Sequence, residues 1–238
     1  MKRTFIALAM LAGGSAPALA SSQSEANGFV ADSTLTLTSR NYYFNHDYKN
    51  GAQDGRDWMQ AVQGNFVSGF TRGRVGFGLD AFAYAALKLD AYGAGTGNAA
   101  LLGNGDTGSF SHVGGALKLR VASSVLQYGD LRPSAPIFAA GGWNILPQSA
   151  EGFQLLSRDL AGLALEAGHF TAGTGGHDSG NHGPILATYA NIETKAVDYL
   201  GGTYTVSPDL SVALYGSQFQ DLWHQYYASA QLALPLAA

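Results

Sequence analysis

The chain has 238 residues, a formal net charge of −4, no cysteine, 32 glycines and only 13% charged residues. The lack of cysteine excludes a disulfide-stapled scaffold. The acidic balance, with no basic stripe, excludes nucleic acid as a partner.

Residues 1–20 read as a secretory signal peptide. Lys2 and Arg3 form the charged start, residues 5–11 an apolar run, and Ala18, Leu19 and Ala20 the cleavage pattern. A transmembrane anchor is the alternative, but the run is too short and its flanks are wrong. A cut after Ala20 removes two of the 13 basic residues and no acid, leaving 11 against 17 and a net charge of −6. No other segment reads as a membrane-spanning helix, because glycine and polar residues interrupt every apolar stretch.

A polar lead-in (21–31) precedes the first strand, 33–44, in which Leu35 and Leu37 face one way and Thr34, Thr36, Thr38, Arg40 and Tyr42 the other. After a polar loop (45–56), a second strand covers 57–70 and ends in the tight link Thr71, Arg72, Gly73. The third strand, from Val75, is the most informative stretch. Val75, Phe77, Leu79, Ala81, Ala83, Ala85, Leu87 and Leu89 alternate with Arg74, Gly76, Gly78, Asp80, Phe82, Tyr84, Ala86, Lys88 and Asp90. A period of two is the strand period. An apolar face backed by charge, glycine and aromatics fits a strand with lipid outside and water inside. About 9–11 tilted residues cross a bilayer, so the segment is long enough.

A Gly/Asn-rich loop (91–108) leads to a fourth strand, 110–121, with Val113, Leu117, Leu119 and Val121 outside and His112, Lys118 and Arg120 inside. A fifth strand covers 125–131, and a long connection runs through 132–150. Strands six and seven cover 151–157 and 160–170, followed by a loop (171–194) with little periodicity. Strands eight to ten fall at 195–206, 210–219 and 223–234. Long loops follow strands one, three, five and seven, and short turns follow the even ones; the link 220–222 is the exception. This asymmetry is that of bacterial outer-membrane barrels. The fold class is therefore all-β, an antiparallel transmembrane β-barrel with about ten strands present, placed in the Gram-negative outer membrane.

The inward parity of clear strands selects Arg40, Lys88, Lys118 and Arg120 as lumen cations, with His112 beside them. Positive charge in a narrow aqueous pore concentrates anions, and arginine grips a carboxylate bidentately. The alternative is that these cations pair with Asp80, Asp90 or Glu166. Aromatics such as Tyr42, Tyr43, Trp58, Tyr84, Tyr204, Tyr215, Trp223, Tyr226 and Tyr227 read as interface girdle or wall packing. The loop histidines in HDSGNH (177–182) match no standard zinc or calcium spacing. No GxSxG elbow, HExxH or phosphate loop occurs, and the glycines at 93–97 precede no helix. No metal, cofactor or enzymatic activity is expected.

The motifs RNYYFN (40–45), SGFTRGRVGFGLDAF (68–82), KLD (88–90), ALKLR (116–120), YGDLRP (128–133) and LPQSAEG (146–152) resemble the OprD family of substrate-specific outer-membrane porins, from about residue 35 onward. The resemblance implies a monomeric barrel of about 18 strands, narrowed by inward-folded loops. It also implies a basic track opposite an electronegative pocket, and passive diffusion of small water-soluble, carboxylate-bearing solutes such as amino acids or organic acids. The implied partners are those solutes, outer-membrane lipid and lipopolysaccharide, and the outer-membrane assembly machinery. The pathway residues are then Arg40, Asp80, Lys88, His112, Lys118, Arg120 and Glu166. The 132–150 connection takes the place of the family's constriction loop, with Arg132, Ile137, Phe138, Trp143, Leu146 and Gln148 as its candidate residues; apolar side chains there suit packing on the inner wall. With about ten strands, the chain reads as a truncated member, or alternatively as a small barrel closed on itself. The rival functions are a non-inserting remnant and a ten-stranded barrel hydrolase using His169.

Overall fold

The computed structural model describes residues 22–47, 49, 54–92, 108–140, 145–176, 178–180, 182–187, 190 and 192–234. The signal-peptide reading of 1–20, the glycine matches at 93–97, Trp143 and His177 lie outside the described residues. Fourteen strands are present among those residues: β1 (Thr34–His46), β2 (Gly55–Val67), β3 (Val75–Tyr92), β4 (Ser109–Val121), β5 (Ser124–Leu131), β6 (Ser134–Ala135), β7 (Phe138–Ala139), β8 (Ser149–Leu160), β9 (Leu163–Thr174), β10 (Ile185–Ala187), β11 (Ile192–Thr194), β12 (Val197–Ser207), β13 (Leu210–Phe219) and β14 (Trp223–Leu232). Ten of them form one antiparallel sheet in the order β1-β2-β3-β4-β5-β8-β9-β12-β13-β14. These are the ten strands expected from the alternation, with ends shifted by a few residues.

The alternation sets which face each side chain takes. On β3, Val75, Phe77 and Leu87 are exposed, while Gly76, Gly78, Tyr84 and Ala86 are buried. The apolar outer face continues through Leu35, Leu37, Val62, Val113, Leu117, Leu155, Leu200 and Leu214, all exposed. A contiguous apolar band of this kind has its low-energy surroundings in lipid. The tyrosines and tryptophans divide between the faces. Tyr43, Trp58, Tyr204 and Tyr226 lie outside, and Tyr84, Tyr199 and Tyr215 are buried on the inner face.

Two irregularities reverse the parity. Gly129 has φ +131°, and a Cβ there would collide with the Gly115 carbonyl oxygen. This backbone, open to glycine, breaks the alternation of β5. It turns Asp130 inward, against the position a Cβ at Gly114 would take. A register shift in β2–β3 between Trp58 and Met59 turns Asp90 outward, opposite Trp58. There Arg56 Nη2 donates to Asp90 Oδ2 at 2.6 Å, so Asp90 is not the inner-face partner expected.

The sheet is open, with β1 and β14 as its edges, which corrects the reading of a small barrel closed on itself. The physical reason is what the inner face holds. Eight to ten strands closed on themselves leave room only for side chains or one small ligand. Here two chain segments already occupy the inner face between opposite walls. One carries the β6–β7 hairpin and the other the β10–β11 hairpin; neither hairpin was expected in these loops.

The lead-in is also more ordered than its polar sequence implies. Gln23 opens a short 3₁₀ turn and is buried. Its Nε2 donates to the carbonyls of Thr71 (2.8 Å) and Gly73 (3.1 Å), and its backbone N–H to that of Ala122 (2.8 Å). A Cβ at Gly69 would meet the Gly28 carbonyl and the Asp32 side chain, so glycine lets residues 28–32 lie against the wall. The lead-in thus seals the short-turn end of β2–β5.

Candidate functional site

Residues 132–140 and 145–148 lie on the inner face, docked against opposite walls. Ile145 and Leu146 are fully buried against Met59 and Ala61 of β2, Tyr84 and Ala86 of β3, and Phe110 of β4. Gln63 Nε2 donates to the Ile145 carbonyl at 2.9 Å. At the other wall, Phe138 lies 5.2 Å from the Phe170 ring, 6.2 Å from Tyr199 and 6.1 Å from Phe219, and Ile137 is buried in the same cluster. Burying an aliphatic or aromatic side chain of this size contributes about 1.5–3 kcal/mol. These anchors fix residues 137–138 on one wall and 145–146 on the other. The apolar residues that looked out of place in a solvated loop are its two feet. Arg132 is exposed at its start, with the guanidinium 5.9 Å from the Tyr84 ring centroid, and Gln148 is half-buried at its end.

The described residues of a second segment, 175–196, also lie inward. Ile185 and Ala187 are buried in the Phe138 cluster, and Gly173 pairs with Gly183. His112 sits beneath both segments with 3% exposure. Its Nε2 lies 3.0 Å from the Pro147 carbonyl oxygen and its Nδ1 3.4 Å from that of Asp178. It was expected to line an open pore; instead it is covered, because both loops dock on it.

Lys118, Arg120 and Asp80 also depart from the expectation of open pore-lining charges. Lys118 Nζ lies 2.5 Å from Asp80 Oδ1, donates to the Ser68 carbonyl at 3.0 Å and sits 5.0 Å from the Phe70 ring. Arg120 Nε donates to Gln23 Oε1 at 2.8 Å, and its guanidinium lies 4.1 Å from the Phe70 ring. Both cations are nearly inaccessible. The reason is the docked lead-in and the 68–74 turn, which cover this end of the inner face. The open alternative, pairing with Asp80, is what Lys118 does.

The charges that do face the remaining inner space fall into two groups. Arg40 and Lys88 are half-buried on β1 and β3, the former with its guanidinium 5.3 Å from the Tyr42 ring. With Arg132 they make a basic side. Asp130 and Glu151 stand opposite each other on β5 and β8, and His182 Nδ1 pairs with Glu151. Glu166 on β9 accepts from Tyr199 Oη (2.8 Å) and Gln154 Nε2 (2.9 Å), which fixes its carboxylate. Asp130, Glu151 and His182 were not among the expected site residues. The positive-φ backbone at Gly129 hides the first, and the other two need the tertiary docking of the loop that carries His182.

His169, named for the hydrolase reading, lies on the outer face, with Nδ1 2.6 Å from Asp198 Oδ1 and both side chains about half exposed. Among the described residues, no group of three or more acidic or histidine side chains could hold a metal ion.

The family model described as "outer membrane porin, OprD family" matches residues 27–238. The chain is 45% identical over its whole length to Porin D of Pseudomonas aeruginosa, covering 55% of that protein. The crystal structure of Pseudomonas aeruginosa OprD matches with TM-score 0.75 and 42% identity, over 92% of this chain and 49% of that one. The crystal structure of Pseudomonas aeruginosa OpdK with vanillate matches with TM-score 0.80 and 31% identity, over 88% of this chain and 55% of that one. The chain spans about half the length of the curated relatives it matches.

Proposed function

The chain belongs to the OprD family of outer-membrane porins, and from that premise we propose that it supplies the wall and constriction of a channel for passive diffusion of small carboxylate-bearing solutes. The observation that carries this reading is the inward 132–148 segment, anchored by Ile145 and Leu146 on one wall and by Phe138 on the other. A strip of chain across the inner face of a membrane-spanning sheet narrows whatever passes.

The chemistry of the solute follows from the two charged sides. Arg40, Lys88 and Arg132 draw a carboxylate inward, and arginine offers it paired donors. Asp130, Glu151 and Glu166 suit a solute amino group, as in an amino acid. The vanillate in OpdK is itself a carboxylate. The reading needs no cofactor or energy source, since diffusion down a gradient through a charged constriction suffices. It places the apolar outer band in lipid, with lipopolysaccharide at the long-loop end and insertion by the outer-membrane assembly machinery.

Liposome swelling tests it. Vesicles carrying the protein should admit a small carboxylate faster than an uncharged solute of equal size, and Arg132→Ala should reduce that preference. Equal rates for the two solutes would sink carboxylate selectivity.

A further inference from the structure

Two loops meet on one imidazole. Pro147 of the 132–148 segment and Asp178 of the 175–196 loop each aim a backbone carbonyl at His112, at 3.0 Å from Nε2 and 3.4 Å from Nδ1. Beside it, the Ser111 N–H lies 3.4 Å from Ser179 Oγ. A carbonyl oxygen only accepts, so both contacts are hydrogen bonds together only when both ring nitrogens carry protons. A neutral ring donates once and leaves one carbonyl facing a lone pair.

Aromatic and charged side chains surround the ring. The Phe82 and Tyr84 rings flank it edge to face, with centroids 6.0 and 5.3 Å away. The Asp130 carboxyl of β5 stands on the same inner face, beside the Gly114 position two residues along β4. Glu151 of β8 pairs with His182, a second proton-dependent tie on the same loop. The opposing charge is Arg132, held over Tyr84. The Asp178 carboxylate accepts from the Gly175 N–H at 2.8 Å, which turns it back on its own loop.

We infer that His112 is a positioning residue for the aperture: its doubly protonated ring ties both inward loops to β4, and loss of one proton releases residues 178–180. The role rests on the channel reading above. The direction follows from the donors. With both ring nitrogens protonated both ties hold and the opening is narrow. With one proton lost the longer contact, to Asp178, is released and the opening widens.

The chain has no cysteine, so a spin-label pair can be placed on the full chain without background. Gly180 has open space around its Cβ position, and Val113 is exposed on the outer side of β4. Labels on Gly180→Cys and Val113→Cys then report the distance from loop to wall by electron–electron resonance between pH 5 and pH 8. One narrow distance is expected at pH 5, with the displaced population rising about tenfold by pH 8, the size of one charge-assisted hydrogen bond. His112→Gln keeps a donor near Nε2 only, and should give the broad distribution at both pH values. His182→Gln should retain part of the pH response. A narrow, pH-independent distance in the otherwise native chain overturns the latch, as does a full response in His112→Gln; the native titration alone decides if that variant does not fold. Conductance recorded alongside separates the two readings. A distance response without a conductance change supports the latch and counts against the channel, and no distance response overturns the latch whatever the conductance.

Discussion

Lys118 holds the Asp80 carboxylate at 2.5 Å with 5% of its own side chain exposed, and it also donates to Ser68. Removing one member of such a pair leaves a buried charge without its partner, which costs about 3–5 kcal/mol. Lys118→Met should therefore lower the urea midpoint of the sheet, and adding Asp80→Asn should recover part of the loss. Carboxylate selectivity should be unchanged in both variants, because neither group faces the open space. Asp32, in the lead-in, gives a pH handle. The Asn27 side chain (2.9 Å) and then the Asn27 N–H (2.9 Å) donate to its carboxylate, with Arg120 adding a favourable charge, and together they hold it below the usual carboxylate range. A depressed carboxyl contributes stability above its unfolded pKa and loses it as pH falls through the folded value. Amide exchange in residues 22–33 should be steady from pH 7 to about pH 5 and rise below about pH 4. A rise already at pH 6 would assign the docking to another group.

The 132–148 segment is the element on which the proposed aperture depends. Ile145 and Leu146 have no exposed surface, and truncating each to alanine costs about 2–5 kcal/mol. The double variant should detach this end of the segment, raise conductance and weaken carboxylate block, while the heat-modifiable mobility of the sheet stays as it was. Unchanged step size would show that the segment does not limit flow. The ten long strands were legible because lipid on one side and water on the other force a period of two on every one of them. The two- and three-residue strands β6, β7, β10 and β11 have no period to read. Parity failed at Asp130 and Asp90: the positive-φ backbone of Gly129 re-aims the first, and the Trp58/Met59 shift puts an extra β3 residue before the second. It failed differently at Lys118, Arg120 and His112. Their faces were right, but what covers them comes from far along the chain: Gln23 reaches Arg120 across 97 residues, and Pro147 reaches His112 across 35. No local pattern carries that information.

For the whole molecule, the outer face and the two edges set the conditions of insertion. Leucines and valines cover the outside, and β1 and β14 are unpaired along the sheet edges. In lipid each unsatisfied backbone group costs several kcal/mol. On the channel reading proposed above, a conducting form is one in which both edges have strand partners. Single-channel conductance of the protein extracted from outer membranes, recorded in a planar bilayer with and without a small carboxylate, tests this directly. Discrete steps that the carboxylate partly blocks are expected. An absence of steps, or steps that no carboxylate alters, would contradict a carboxylate-selective channel.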